Sequence, residues 1–164
     1  MNSSLSHREA LHADLHAWIA AIATPDARLA GHAPCPFANL AKNVAIVEID
    51  LETGEIVPPD RPFDVIVYVL PAELEPAVLL AHCDTLNVRY PALLFLGDPR
   101  DRHTNINGVT TNNGKHNLIL CQPKAKLRAA RQVLAKTDYY QYWESEYLRE
   151  ILGSDFGEVV GDRA

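Results

Sequence analysis

Three apolar runs constrain this chain more than any other feature: FDVIVYVL at residues 63–70, ALLFLG at 92–97 and NLILC at 117–121. A strand with one wet face alternates apolar and polar residues. These runs do not alternate, which suits strands covered on both faces. NVAIVEID at 43–50 adds a further strand, reached through a connection rich in turn residues, LETGEIVPPDRP. Between the first two runs, Leu74, Val78, Leu79, Cys83 and Leu86 recur at helical spacing. Strand, helix and strand in that order favour a right-handed parallel crossover.

Helical patterns flank these strands. Ser6 and Glu9 have the spacing of a capping box, followed by Leu11, Leu15, Trp18, Ile19 and Ile22 on one face. Thr24-Pro25 should end that helix, because the residue before a proline is driven out of the helical basin. Pro123 fits the first turn of a later helix with Leu127, Ala130 and Leu134 inward. A last helix is expected from Asp138, with Gln141 three residues on, to Gly153. The expected fold is α+β: a mixed sheet of about four strands covered by helices, with an N-terminal helix and two C-terminal helices. At 164 residues, 48% of them hydrophobic, residues 1–164 suit a single domain with a real core.

Charge and cysteine usage narrow the function classes. The net charge of −6 argues against nucleic acid, since phosphate binding needs clustered Lys and Arg in excess. No apolar run approaches the roughly 18 residues of a membrane span. The first twenty residues carry charges and histidines instead of a secretory core, and three cysteines suit a reducing, cytoplasmic location. No CxxC, HExxH, GxGxxG, P-loop or GxSxG pattern occurs, which removes the strong zinc-protease, nucleotide and serine-hydrolase readings.

Two stretches carry candidate chemistry. In GHAPCPFANLAKN, prolines on both sides of Cys35 stiffen the segment and could aim the thiol into a pocket. His32 could assist a thiolate there, with nearby positive groups favouring it; a small buried hydrophobe is the plainer role. The second stretch is DPRDRHTNINGVTTNNGKH at 98–116, a long polar connection between two apolar strands. Loops of that length are usually functional or disordered. Arg102 and Lys115 suit an anionic group, Asn105, Asn107 and Asn113 suit a polar substrate, and His103 and His116 could move protons. Asn107-Gly108 and Asn113-Gly114 are equally ordinary hairpin signals. Glu9, His12 and His16 share a helix face but read as a solvated flank, and no metal site is assigned. In DYYQYWESEYL, the stripe Tyr140, Trp143, Tyr147 and Ile151 is a packing face, a pocket wall or a homodimer face.

Cys35-Pro36-Phe37-Ala38, following an N-terminal helix with Trp18, resembles an uncharacterised bacterial family of small proteins marked by a Cys-Pro-Phe-Ala motif. The order of elements is similar too. This chain has Asp98-Pro99 where that family has His-Pro, and Asn112, Asn113, Gly114 and Lys115 where it has Asn-Arg-Ser-Pro. The resemblance implies a fold and a pocket location.

The leading expectation is a small-molecule enzyme with its pocket between the Cys35 loop and loop 98–116, binding a polar or anionic substrate. Cys35, His103 and His116 would be catalytic; Arg102, Asn105, Asn107, Asn113, Lys115 and His32 would bind substrate. The alternatives are a noncatalytic ligand-binding or dimerisation module, and a haem- or metal-binding protein using Cys35 and a histidine. The cofactor and the reaction class stay open.

Overall fold

The computed structural model describes residues 2–50, 54–153 and 157. Helices α1 (Asn2–Ile22) and α2 (Phe37–Leu40) precede strands β1 (Val44–Glu48) and β2 (Val65–Leu70). Helix α3 (Pro76–Arg89), β3 (Leu93–Asp98), β4 (Asn105–Ile106), β5 (Val109–Thr110) and β6 (Asn117–Pro123) follow. Helices α4 (Lys124–Leu134) and α5 (Ser145–Leu152) complete the described chain. The architecture is the expected α+β arrangement: one mixed four-stranded sheet in the order β1-β2-β6-β3, covered by helices. A second, two-stranded sheet is formed by β4 and β5. Residues 51–53 of the turn-rich connection lie outside the described residues.

β1 and β2 run parallel, with Ile46 opposite Val67. β6 lies antiparallel between β2 and β3, pairing Tyr68 with Ile119 and Leu96 with Leu120. The strands on either side of α3 are therefore parallel but not neighbours, a split crossover with β6 filling the gap. That position explains why NLILC carries almost no polar residue: Leu118, Ile119 and Cys121 have no solvent exposure.

The two sheet faces are covered differently. On one, α3 sends Leu79, Cys83 and Leu86 against Ile66, Tyr68, Phe95 and Ile119. Val78, expected inside, is 52% exposed, because its place on the helix turns away from the sheet. Gly97 permits the close approach of α3: a Cβ there would lie 2.5 Å from a Leu79 methyl and 2.9 Å from one of Leu80. On the other face α1 packs Leu11 and Leu15 against Val67, Val69 and Leu118. The rest of that face is left to α4, the aromatic C-terminal segment and the space between them.

Several local expectations are corrected. Helix α1 starts at Asn2, so Ser6 already has helical backbone and is not a cap, whose backbone must be non-helical. Pro123 closes β6 and stands just before α4, not in its first turn. The expected last helix is two pieces, a 3₁₀ turn at Tyr139–Tyr142 and α5, separated by extended backbone at Trp143. Asp138 does not cap that turn with its side chain; its carboxylate meets the His32 imidazole at 2.6 Å. Gly153 ends α5 with φ of 51°.

Two side chains hold the sheet's ends. β3 is an edge strand, and Asn87 of α3 satisfies its outward backbone at Phe95. The Phe95 N–H donates to Asn87 Oδ1 at 2.9 Å, and Asn87 Nδ2 donates to the Phe95 carbonyl at 3.0 Å. The side-chain amide thus takes the place of a neighbouring strand and closes the edge to other chains there. Asp64 accepts the Lys42 and Asn43 backbone N–H groups at 2.9 Å each, and Lys126 of α4 donates to the same carboxylate. It pegs the start of β1 to the start of β2 and to α4.

Asn87→Ala should lower stability by about 1–3 kcal/mol, since it strips two hydrogen bonds from a partly buried strand edge. The urea midpoint checks it; an unmoved midpoint would mean that the amide clamp contributes nothing. For Asp64, hydrogen bonding from Lys126 and then from the two backbone amides lowers its pKa from 3.8 to about 2. A depressed carboxylate stabilises above its unfolded pKa and loses that contribution as pH falls through its folded one. Asp64→Asn should therefore be less stable than wild type at pH 7, with the gap closing between about pH 4 and pH 2 in thermal melts.

Candidate functional site

A cavity of about 570 Å³ opens on the sheet face that α1 covers incompletely. Its floor includes Val65 and Val67 of β2, Leu94 and Leu96 of β3, and Leu120 and Gln122 of β6. These positions alternate along their strands and therefore share one face. Trp18, Ile19 and Ile22 of α1 form one wall, and Tyr140, Trp143, Tyr147 and Ile151 form the facing one. The expected aromatic stripe is thus a cavity wall. Trp143 and Tyr147 stack at 5.2 Å with 15° between planes, and Tyr139 and Tyr140 meet Trp143 at 5.5 and 5.9 Å.

The Cys35 corner and loop 98–116 both reach this cavity, through Pro34, Cys35, Phe37 and Ala38 on one side and Asp98, Arg102, Thr104, Thr111 and Asn112 on the other. The corner is built by backbone bonds: the Cys35 N–H donates to the Ile22 carbonyl at 2.7 Å, and Tyr139 Oη donates to the Pro34 carbonyl at 2.6 Å. The electrostatics at Cys35 differ from the expectation of a thiolate favoured by positive neighbours. Burial pushes its thiol up, outweighing the Phe37 and Ala38 N–H groups that oppose the shift. Desolvation disfavours the charged form, and a four-residue helix offers too little to reverse it. Cys83 and Cys121, in the opposite core, are likewise pushed up to about 12 by burial.

The loop owes its shape to a buried carboxyl group. Asp98, 6% exposed at the end of β3, accepts Asn112 Nδ2 at 2.7 Å on one oxygen. The other oxygen accepts the Asn113 N–H at 3.1 Å and Asn113 Nδ2 at 2.7 Å. Asn112 Oδ1 then accepts the Thr104 N–H at 2.6 Å, and Thr104 Oγ1 lies 3.4 Å from Thr111 Oγ1. Thr111 Oγ1 in turn lies 3.4 Å from Tyr147 Oη. A chain of polar groups thus runs from Asp98 along the loop to the aromatic wall. Asn117, with no solvent exposure, completes the support: its Nδ2 donates to the Pro71 and Leu74 carbonyls and its Oδ1 accepts the Arg100 N–H.

The predicted site residues separate into two groups. Cys35 and Arg102 are brought together in the cavity wall, where half-buried Arg102 donates through Nη2 to Glu150 of α5. Lys115 and His116 face elsewhere: Lys115 Nζ donates to Asp14 of α1 at 2.8 Å, and His116 Nε2 lies 3.2 Å from the other Asp14 oxygen. Hydrogen bonding from Lys115, and then from His116, holds Asp14 below the usual carboxylate range. Their work is to clip the loop to α1, around a smaller cavity of about 240 Å³. His32 is engaged by Asp138 and packs edge-on against Tyr139. Asn105 and Asn107 shape the β4–β5 hairpin, whose turn has φ of 48° at Asn107 and 83° at Gly108. Asn107 also donates to the Arg28 carbonyl at 2.7 Å. Asn113 is spent on Asp98 and on the Lys115 and His116 N–H groups. His103 is exposed and does not line the cavity.

Sequence reasoning missed Asp98, Asn112 and Asn117 as the loop's framework, and Arg131 and Glu150 as cavity residues. Arg131 is 5% exposed and donates to the Ile151 carbonyl, tying α4 to α5. A helix pattern that assigns Leu127, Ala130 and Leu134 inward also faces position 131 inward (one residue from 130 and four from 127), which is the signal that could have found it. No group of three or more His, Cys, Asp and Glu among the described residues is placed to hold a metal ion. Among the same residues, no helix is long and apolar enough to cross a membrane.

Because burial raises the Cys35 pKa, less thiolate should form at neutral pH than on a free cysteine. Iodoacetamide should therefore modify Cys35 more slowly than free cysteine at pH 7.5, followed by mass spectrometry, with the rate climbing as pH rises. Faster modification than free cysteine would restore an activated thiol. No family model, curated protein or solved structure matches the chain, so the geometry of this cavity carries the functional reading.

Proposed function

We propose that this protein binds a small amphipathic organic molecule in the 570 Å³ cavity, with the apolar body on the sheet floor and an anionic group at Arg102. The observation that carries the reading is the composition of the cavity wall. Small-molecule sites are mostly apolar clefts of roughly 300–1,000 Å³ with a few convergent polar groups. Here a floor aliphatic except for Gln122 and the aromatic walls meet a polar flank of Asp98, Arg102, Thr104, Thr111, Asn112 and Glu150, with Asp84, Asn87 and Arg131 also in the lining.

Arg102 suits the anion for two reasons. Its Nη2 donor goes to Glu150, and the planar guanidinium fork has further donors for a carboxylate, sulfonate or phosphate oxygen. It is also half-buried, so its interactions are less screened than those of an exposed lysine. A binding role fits better than nucleophilic catalysis, because burial keeps the Cys35 thiol protonated and the histidines named as its partners are engaged or turned elsewhere.

Both tryptophans of the chain, Trp18 and Trp143, stand in the wall, so their fluorescence reports occupancy. The anionic dye 1-anilinonaphthalene-8-sulfonate should quench that emission saturably at one equivalent. Arg102→Met should weaken the dye by about ten-fold or more, the scale of a lost hydrogen bond to a charged group. The half-exposed Arg102–Glu150 pair contributes no more than about 1 kcal/mol, so the denaturation midpoint should hardly move. Absence of saturable quenching would refute the reading, and equal affinity in Arg102→Met would remove the anion from it.

A further inference from the structure

We infer that two copies of this protein pair reversibly through β1, edge to edge and antiparallel, so that their sheets become continuous. The sheet has two edges, β1 and β3. β3 is closed by the Asn87 amide at Phe95, and β1 has no such device. The Val65 N–H donates to the Asn43 carbonyl at 3.3 Å, and the Ile49 N–H donates to the Val69 carbonyl at 2.8 Å. The odd-numbered residues of β1 therefore turn their backbone groups toward β2. Those groups alternate in direction along a strand, so the N–H and C=O groups of Val44, Ile46 and Glu48 point outward. Among the described residues, nothing pairs with them. The strand, VAIVE, holds no proline, and Val44 and Val47 are 39% and 37% exposed. A bare apolar edge of this kind is a template for another strand.

Charge identifies the occupant as a second copy. Exposed Lys42 stands just before β1, while Glu48 ends it and exposed Asp50 follows. An antiparallel partner of the same sequence lays its end against this beginning. With the two Ile46 residues opposite each other, Val44 faces the partner's Glu48. Lys42 then comes within reach of the partner's Glu48 and Asp50, and the two-fold axis repeats this at the other end. In this register the outward N–H groups of each copy meet outward carbonyls of the other. A slip of one residue would set outward groups against inward ones, and a parallel partner would bring like charges together. Five residues a side make a small interface, which suits a reversible pair and not a permanent one.

Sedimentation velocity tests the pairing. The wild-type chain should pass from monomer to dimer between about 5 and 500 µM, the range of a small interface. Lys42→Glu sets like charges at both ends and should raise the dissociation constant about ten-fold or more. The double variant Glu48→Lys, Asp50→Lys should do the same. An equimolar mixture of the two variants is complementary at both ends and should dimerise as wild type does. If either variant fails to fold, amide exchange of the wild-type chain decides. The Val44, Ile46 and Glu48 N–H groups should then exchange more slowly in concentrated than in dilute protein. A chain that stays monomeric overturns the inference. So does a dimer indifferent to Lys42→Glu, a mixture no better than its parts, or a dimer that leaves those three amides unprotected.

Discussion

The buried carboxyl group of Asp98 is the constraint on which the functional half of the molecule depends. A carboxylate taken from water is costly unless its oxygens are hydrogen-bonded, and here three N–H donors come from two consecutive asparagines fourteen and fifteen residues later. Those bonds fold a loop of almost twenty residues back over the end of its own strand. Asn112 can then hold Thr104, Asn113 can hold the backbone that leads into β6, and the β4–β5 hairpin can pack Ile106 and Val109 on Leu29. Without that anchor the polar flank of the cavity would have no fixed geometry.

The cavity itself arises from a mismatch of widths. Helix α3 covers one face of the sheet, and Gly97 lets it approach closely. On the opposite face, α1 covers the half next to Val69 and Leu118, while Leu94, Leu96 and Gln122 extend beyond it. The C-terminal segment spans the difference with large rings. Rings held by stacking and edge contacts bridge a gap but do not fill it as interdigitated aliphatic chains would. The same elements therefore hold α5 in place and enclose the space beside it.

Three kinds of polar group were hard to distinguish from sequence, and the structure shows why. Arg102 and Lys115 look alike as loop cations. The residue that separates them is Asp14, a hundred positions earlier on α1, which takes Lys115 and His116. Asn105, Asn107, Asn112 and Asn113 look alike as amides; Asn112 lines the cavity and Asn107 sits in a turn, because of where the chain reverses. Cys35 looked poised for reactivity because of its prolines, but desolvation pushes its thiol up in spite of the Ala38 and Phe37 N–H groups.

What the amino-acid sequence determined by itself is the α+β class, the four strands of the main sheet and most helices. Those follow from local periodicity: unbroken apolar runs demand cover on both faces, and i, i+4 stripes demand a sheet to pack on. Only the tertiary structure decided that β6 enters between β2 and β3, that Asp98 gathers the asparagines, and that Trp143 stands in a cavity wall. Each of these depends on partners tens of residues away. Sequence spacing carries no record of which distant donor meets which acceptor until the sheet has closed.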